Sequence, residues 1–357
     1  MILKDIIKKF DKSNIKAGDG LEKGNYPLYT CSPIVNKYLN DYLYEDEALI
    51  ISTGGNFSIH YVNGKFNYST DCYVFNTDKY NLKYLYYYLL SKKDDINKMF
   101  RGAGLKHLNK NEFVMLNIKD ISLNEQCDIV NQLDKVNEMI GLRKQEIEKC
   151  NNLIKSQFVE MFGDPVYNEK RWNLSKLTEM GDFGRGVSKH RPRNAPELLG
   201  GEYPLIQTGD VSNSDLYIKK YNSTYSELGL KQSKMWPKGT LCITIAASIA
   251  ETGILTFDAC FPDSVVGFTP NKNTNNIFIH YWFSFLQKII DSKATQVAQK
   301  NINLQVLSNL DVISPPIELQ NKFAEFVKQI DKQKFEFEKS LKKLEELQAS
   351  LMQEYFG

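Results

Sequence analysis

The run Gly184-Arg-Gly-Val-Ser-Lys-His-Arg-Pro-Arg193 is where residue type and spacing point most directly to chemistry. It carries Arg185, Lys189, His190, Arg191 and Arg193 with no acidic residue between them, and its glycines and proline keep it out of regular structure. A turn that presents four cations suits phosphate contacts, and arginine can also read a guanine edge with both arms of its guanidinium. The competing reading is a solvated charged loop. Gln207 and Thr208 close a strand-like run that begins Glu202-Tyr-Pro-Leu205. The Gln207 amide could pair with adenine; a hydrogen-bonded strand end explains it equally well. Earlier in the chain the corresponding polar tips hold Thr30, Asn56 and a weaker basic patch of Arg101, Lys106 and His107. Lys106 has a counterpart at Lys300, and both stand just before the segment that leads into a long helix.

Catalytic signatures are not found in the sequence. There is no G-x-x-x-x-G-K-[ST] phosphate loop and no G-x-G-x-x-G between a strand and a helix. An adenine methyltransferase would need a cofactor loop and an Asn/Asp-Pro-Pro-aromatic motif, whereas the Pro315-Pro316 pair follows Ser314. Four dispersed histidines argue against a histidine metal cluster, so no metal site is assigned. Six scattered cysteines without a C-x-x-C argue against a disulfide framework or zinc ribbon and point to reduced thiols. The chain has 357 residues, 42% hydrophobic and 25% charged, with a net charge of +2, the profile of an ordinary globular protein. Balanced charge of this kind does not by itself argue for nucleic acid. The N-terminal run MILKDIIKKFDK lacks the apolar core of a signal peptide, and Leu241 to Ala250 is too short to span a bilayer. A cytoplasmic location is the expectation.

Two stretches must position these residues. Asn124 to Gly163 contains no proline, and Ile129, Leu133, Val136, Ile140, Ile147, Cys150, Ile154 and Met161 recur at coiled-coil spacing, interrupted by Arg143. A helix of that length, about 55 Å, needs a cover for its apolar stripe. Asn321 to Gly357 supplies one, with Phe323, Val327, Ile330, Lys334, Phe337, Leu341, Leu344, Gln348, Leu351 and Tyr355 along its seam. Shifting the first series by 194 positions lands on members of the second, and both stretches end in Phe-Gly. The chain is therefore an internal repeat of globular unit and long helix, divided at 1–121, 122–163, 164–315 and 316–357. Two helices of equal length pack most simply antiparallel, with a pseudo-two-fold axis between the halves.

Within the first unit, Asn25 to Thr30, Glu47 to Ser52, Phe57 to Tyr61 and Cys72 to Asn76 read as strands, with an Asn63-Gly64 turn before the last. Asn81 to Ser91 reads as an aromatic helix, and Leu105 to Ile121 as loop and strand. In the second unit, Glu202 to Thr208, Thr240 to Ala246, Thr256 to Phe261 and Ser264 to Phe268 read as strands, with a turn at Ala247-Ser248. Ile277 to Ile290 repeats the aromatic helix. Rings at Tyr84 to Tyr88 and Tyr281 to Phe285 suit core packing better than base stacking, because they sit in helices.

These features together resemble the specificity subunit of type I restriction-modification systems. The resemblance rests on Pro315-Pro-Ile-Glu-Leu-Gln320, on Leu351-Met-Gln-Glu-Tyr-Phe-Gly357 and on Leu153-Ile-Lys-Ser-Gln-Phe-Val-Glu-Met-Phe-Gly-Asp-Pro165. Ser188 to Arg193, Trp236 to Ala247 and Phe257 to Ser264 look like one recurring class of target-recognition domain; the first unit departs from that class. The resemblance implies an α+β fold: two globular α/β target-recognition domains in pseudo-two-fold arrangement, separated by two long antiparallel coiled-coil helices. It implies a non-catalytic subunit that binds a bipartite, asymmetric site on double-stranded DNA. Two modification subunits, adenine methyltransferases, would dock on it, and restriction subunits with nuclease activity would complete an ATP-dependent endonuclease. This chain would bind no cofactor itself, with S-adenosylmethionine, ATP and Mg on the partners and no membrane partner. Helix faces around Arg143 to Lys149 and Lys339 to Glu346 are candidates for docking. The other readings are a protein-only coiled-coil scaffold and a self-contained DNA-modifying enzyme with divergent motifs.

Overall fold

A computed structural model describes residues 1–245, 250–286 and 304–357. Packing divides the chain into two units, Met1–Lys144 with Glu338–Gly357, and Gln145–Phe337.

In the first unit a six-stranded sheet runs in the order Lys8–Lys9, Cys72–Asn76, Tyr44–Ser52, Ile59–Tyr68, Tyr26–Tyr29, Tyr38–Leu39. The central strand Tyr44–Ser52 ends in five buried residues because both its faces are covered. Leu49 and Ile51 meet the helix Leu82–Ser91 through Tyr84, Leu85 and Tyr88. Ala48 and Ile50 pack with Val62, Phe66 and Tyr68 on the opposite face. Asn63-Gly64 is not a turn. It lies inside strand Ile59–Tyr68, paired with Glu47 and Asp46, and Gly64 supplies a φ of +122° there. The chain reverses instead at Ser69, whose carbonyl accepts from the Cys72 amide. The segment before the first long helix also differs from the loop and strand expected, being a short hairpin, Phe100–Arg101 with His107–Leu108, and one helical turn, Lys110–Phe113.

The second unit holds a five-stranded sheet in the order Gly181–Arg185, Val265–Pro270, Leu241–Thr244, Thr252–Leu255, Tyr217–Ile218. A four-stranded sheet runs Ser223–Tyr225, Leu199–Leu205, Ala259–Cys260, Met235–Trp236. The strand expected over Thr256 to Phe261 is broken, because the Asp258 carboxylate turns back to accept from the Lys238 amide. Thr252–Leu255 and Ala259–Cys260 on either side belong to different sheets. The turn Ala247-Ser248, Ala246 and the end of the helix expected to reach Ile290 lie outside the described residues; Asn276–Phe283 is helical.

Two 40-residue helices, Leu123–Phe162 and Ile317–Phe356, each contribute to both units. In the first unit Gln132 meets Tyr355, Asn137 meets Gln348 and Lys144 meets Glu345, so the two segments run antiparallel. In the second, Asn151 bonds Lys334, and Phe158 and Phe162 meet Phe323 at 5.4 and 5.5 Å between ring centroids, again antiparallel. Ile129, Leu133, Val136 and Ile140 are buried, as are Ile154, Phe323, Val327 and Ile330. Ile147, Leu341, Leu344 and Leu351 are partly buried.

The repeat holds down to single hydrogen bonds. Gln126, buried in the first turns of its helix, accepts from the Asn81 amide at 2.8 Å and donates to the Ile121 carbonyl. Gln320, equally buried, accepts from the Asn275 amide at 2.9 Å and donates to the Asn273 and Pro315 carbonyls. Asn81 and Asn275 in turn cap their aromatic helices with their side chains. Phe356 packs on Tyr84 and Phe162 on Phe278, at 5.4 and 4.9 Å. Gly163 ends the first long helix at φ +76°, where glycine avoids the Cβ clash of the left-handed region.

Candidate nucleic-acid interface

In the second unit the basic run leaves the sheet at Arg185 and lies along the turn Phe261 to Ser264. Gly186 makes this approach possible. Its amide donates to the Val265 carbonyl, and a Cβ there would stand 2.3 Å from the Pro262 oxygen and 2.4 Å from the Phe261 oxygen. The Val187 amide donates to Phe261, and the Gln232 side-chain oxygen accepts from the amides of Lys189 and His190.

The loop carries no acid of its own, but the fold brings one. Asp263 takes the Arg193 guanidinium at 2.6–2.7 Å, stands 3.7 Å from Arg191, and accepts from Arg185 Nε on its backbone carbonyl. Arg191 also donates to the carbonyls of Ser188 and His190 at 2.7 Å. His190 faces Glu197 at 3.8 Å. Arg193 is thus held by a carboxylate 70 residues downstream and Arg185 by the backbone carbonyl of the same residue, while the side chains of Arg191 and Arg193 stay about half exposed.

Arg193, Gln207 and Thr208 come together along one cleft of about 230 Å³ with Asn194, Tyr225 and the buried Ser188, whose hydroxyl has no hydrogen-bond partner among the described residues. Gln207 ends up before a short helix, Thr208–Ser212, because the Asp210 carboxylate caps its amide at 2.8 Å. Its side-chain amide reaches Ser223 at 3.3 Å. Lys300 lies outside the described residues.

In the first unit, Asn56, Lys106 and His107 are brought to one tip. The Gly55 amide donates to Lys106 and the Leu108 amide to Thr53, while Gly54 bridges His107. Thr30 accepts from the Ser32 amide at 3.2 Å, and His60 bonds the Ser32 carbonyl at 2.9 Å. Arg101, exposed, is paired with Glu112 at 2.7 Å.

Asp263, Gln232, Ser188 and Gly186 were not among the residues singled out for function. Asp263 and Gln232 are remote in sequence from the loop they hold; Asp263 falls within the run Phe257 to Ser264 that carries the resemblance, whereas no spacing or motif marks Gln232. Among the described residues, no helix is long and apolar enough to cross a membrane, and no group of three or more His, Cys, Asp or Glu could hold a metal.

A family model described as the type I restriction modification DNA specificity domain matches residues 1–152 and 169–349. The chain is 23% identical over 286 residues to a putative type I restriction enzyme MjaX specificity subunit of Methanocaldococcus jannaschii, covering 75% of this chain and 67% of that protein. It is 24% identical over 147 residues to the type I restriction enzyme EcoDI specificity subunit of Escherichia coli, covering 41% of this chain and 33% of that protein. The fold matches the S subunit of a type I restriction-modification system from M. genitalium with a TM-score of 0.66 at 16% identity, over 99% of this chain and 94% of that one. With the specificity-domain model matched in both halves of its length, the chain belongs to the type I restriction-modification DNA specificity family and is a specificity subunit of that family.

Proposed function

We propose that the chain reads a bipartite, asymmetric site on double-stranded DNA, one block by each of two target-recognition domains at 1–121 and 164–315. The long helices, 122–163 and 316–357, set the separation of the blocks and dock two modification subunits that methylate adenine. Restriction subunits join where they are present. Catalysis, S-adenosylmethionine, ATP and Mg belong to those partners. In the second domain, Arg185, Lys189, His190, Arg191, Arg193, Gln207 and Thr208 contact DNA; in the first, Thr30, Asn56, Arg101, Lys106 and His107 do. The observation that carries the reading is the repetition of one buried linkage, Gln126 to Asn81 and Gln320 to Asn275, between each aromatic helix and its long helix. Two similar modules, each joined to the long helices, suit two half-sites, whose spacing is then a matter of geometry. Because the modules differ in sequence, the blocks differ.

The test is methylome sequencing of cells carrying the chain with its modification partner, against deletion of the chain alone. The expected result is loss of methyladenine at one bipartite, asymmetric motif. An unchanged methylome, together with no DNA binding by the reconstituted complex, would sink the reading.

A further inference from the structure

Three arginines and one lysine in ten residues would bind any nucleic-acid backbone, and such contacts carry no sequence information. Asp263 changes what the cluster can do. Its side chain is 25% exposed, against 47% for Arg193 and 56% for Arg191, so the carboxylate is more shielded from solvent than the guanidinium groups it faces. One of its oxygens accepts from Arg193 Nη2, the other lies 2.6 Å from the same nitrogen as an ion-pair contact, and Arg191 stands 3.7 Å from the first. Its backbone carbonyl fixes Arg185 through Nε.

We propose that Asp263 is a positioning residue for sequence discrimination by the second domain, an inference that rests on the DNA-reading function above. A guanidinium fixed at one nitrogen presents the rest of its fork at a set angle, which suits the paired acceptors of a purine edge, O6 and N7 of guanine above all. Holding the fork before binding also reduces the rotamer freedom lost on contact. The carboxylate meanwhile opposes phosphate and lowers attraction to DNA of any sequence. Ser188 and Gln207 line the cleft beside Arg193, so the fixed fork stands next to further polar groups. Asp263 thus weakens indiscriminate binding and strengthens the difference between a right and a wrong block.

The experiment uses the whole complex of this chain with its modification subunits. Affinity is measured for a duplex bearing the methylated motif and for duplexes with each block scrambled in turn, at several salt concentrations. Asp263→Asn is expected to lower the cognate-to-scrambled ratio about tenfold or more for one block and leave the ratio for the other block unchanged. The scrambled duplex should bind more tightly, with a salt slope steeper by about one. Asp263→Glu, which keeps the charge, should retain the ratio to within about threefold. Parallel weakening on all duplexes with unchanged ratios, as a purely structural residue would give, overturns the proposal. Where Asp263→Asn fails to fold by circular dichroism, Arg193→Lys takes its place. It keeps the charge and loses the fork, so the same ratio should fall with the salt slope unchanged, and a preserved ratio overturns the proposal. A wild-type ratio of one for both blocks defeats the DNA reading itself; a wild-type ratio above one with an unchanged variant defeats the role of Asp263 alone.

Discussion

Gly186 shows how narrowly one position can be constrained. Adding a methyl group would drive it into two backbone oxygens that belong to the turn carrying Asp263. Gly186→Ala should destabilise the chain by about 1–3 kcal/mol, the usual penalty of overpacking, and reduce DNA binding with it. Gly209 has open space around its missing Cβ, so Gly209→Ala should change stability by less than about 0.5 kcal/mol. Denaturant titration of the two variants tests the contrast. His280 gives a prediction in pH. Its Nδ1 lies 2.9 Å from the Thr252 hydroxyl, and desolvation holds it down at about 4, against a smaller opposing pull from Asp215. The unfolded chain therefore binds a proton near pH 6.5 that the folded chain refuses until about 4. Stability from this group is complete above pH 6.5 and is lost as pH falls toward 4, by at most about 3 kcal/mol. His280→Gln should flatten that limb of the stability profile measured between pH 7 and 4. An unchanged slope would assign the acid sensitivity to other groups.

At the scale of elements, the buried glutamines carry the junctions. Gln320 makes three bonds to backbone groups and Gln126 makes two, in sites sealed from solvent. Leucine in either place leaves amides and carbonyls unpaired, at about 1–3 kcal/mol for each group that water cannot reach. Gln320→Leu should therefore lower Tm more than Gln126→Leu, and equal shifts would contradict this accounting of bonds. The long helices were legible as elements because no proline interrupts either one and their apolar stripes recur at one spacing. Lys334 and Gln348, which break the apolar pattern of the second stripe, could not be explained from spacing. Lys334 is nearly buried and bonds Asp215 and Asn151, both at 2.9 Å. Gln348 finds Asn137. Each polar seam residue is satisfied by a partner at least 119 residues away, which sequence periodicity does not encode. Asn63-Gly64 failed as a turn for a similar reason. The neighbouring strand Tyr44–Ser52 supplies a ladder on that side, and pairing outweighs a local turn preference.

At the scale of the whole molecule, the proposed ruler makes a prediction of its own. Inserting four residues at equivalent points of both long helices adds about 6 Å to each, at 1.5 Å per residue. The spacer between recognised blocks should lengthen by roughly two base pairs, at about 3.4 Å per step, with the blocks unchanged in the methylome. Altered blocks would contradict the division between reading and measuring. The sequence by itself determined the repeat, both long helices and the family resemblance that implied the α+β class, because periodicity, proline placement and duplicated motifs are local and additive along a chain. It also located the basic run, since charge and glycine content are properties of composition. Only the tertiary structure decided that Asp263 holds Arg193 by its carboxylate and Arg185 by its carbonyl, that Gln207 and Thr208 share a cleft with Arg193, and that Gly54 and Gly55, beside Asn56, pair with His107 and Lys106 at one tip. Those pairings are made by strands and turns far apart in sequence, whose approach is fixed by burial of the sheets they belong to and leaves no spacing to read.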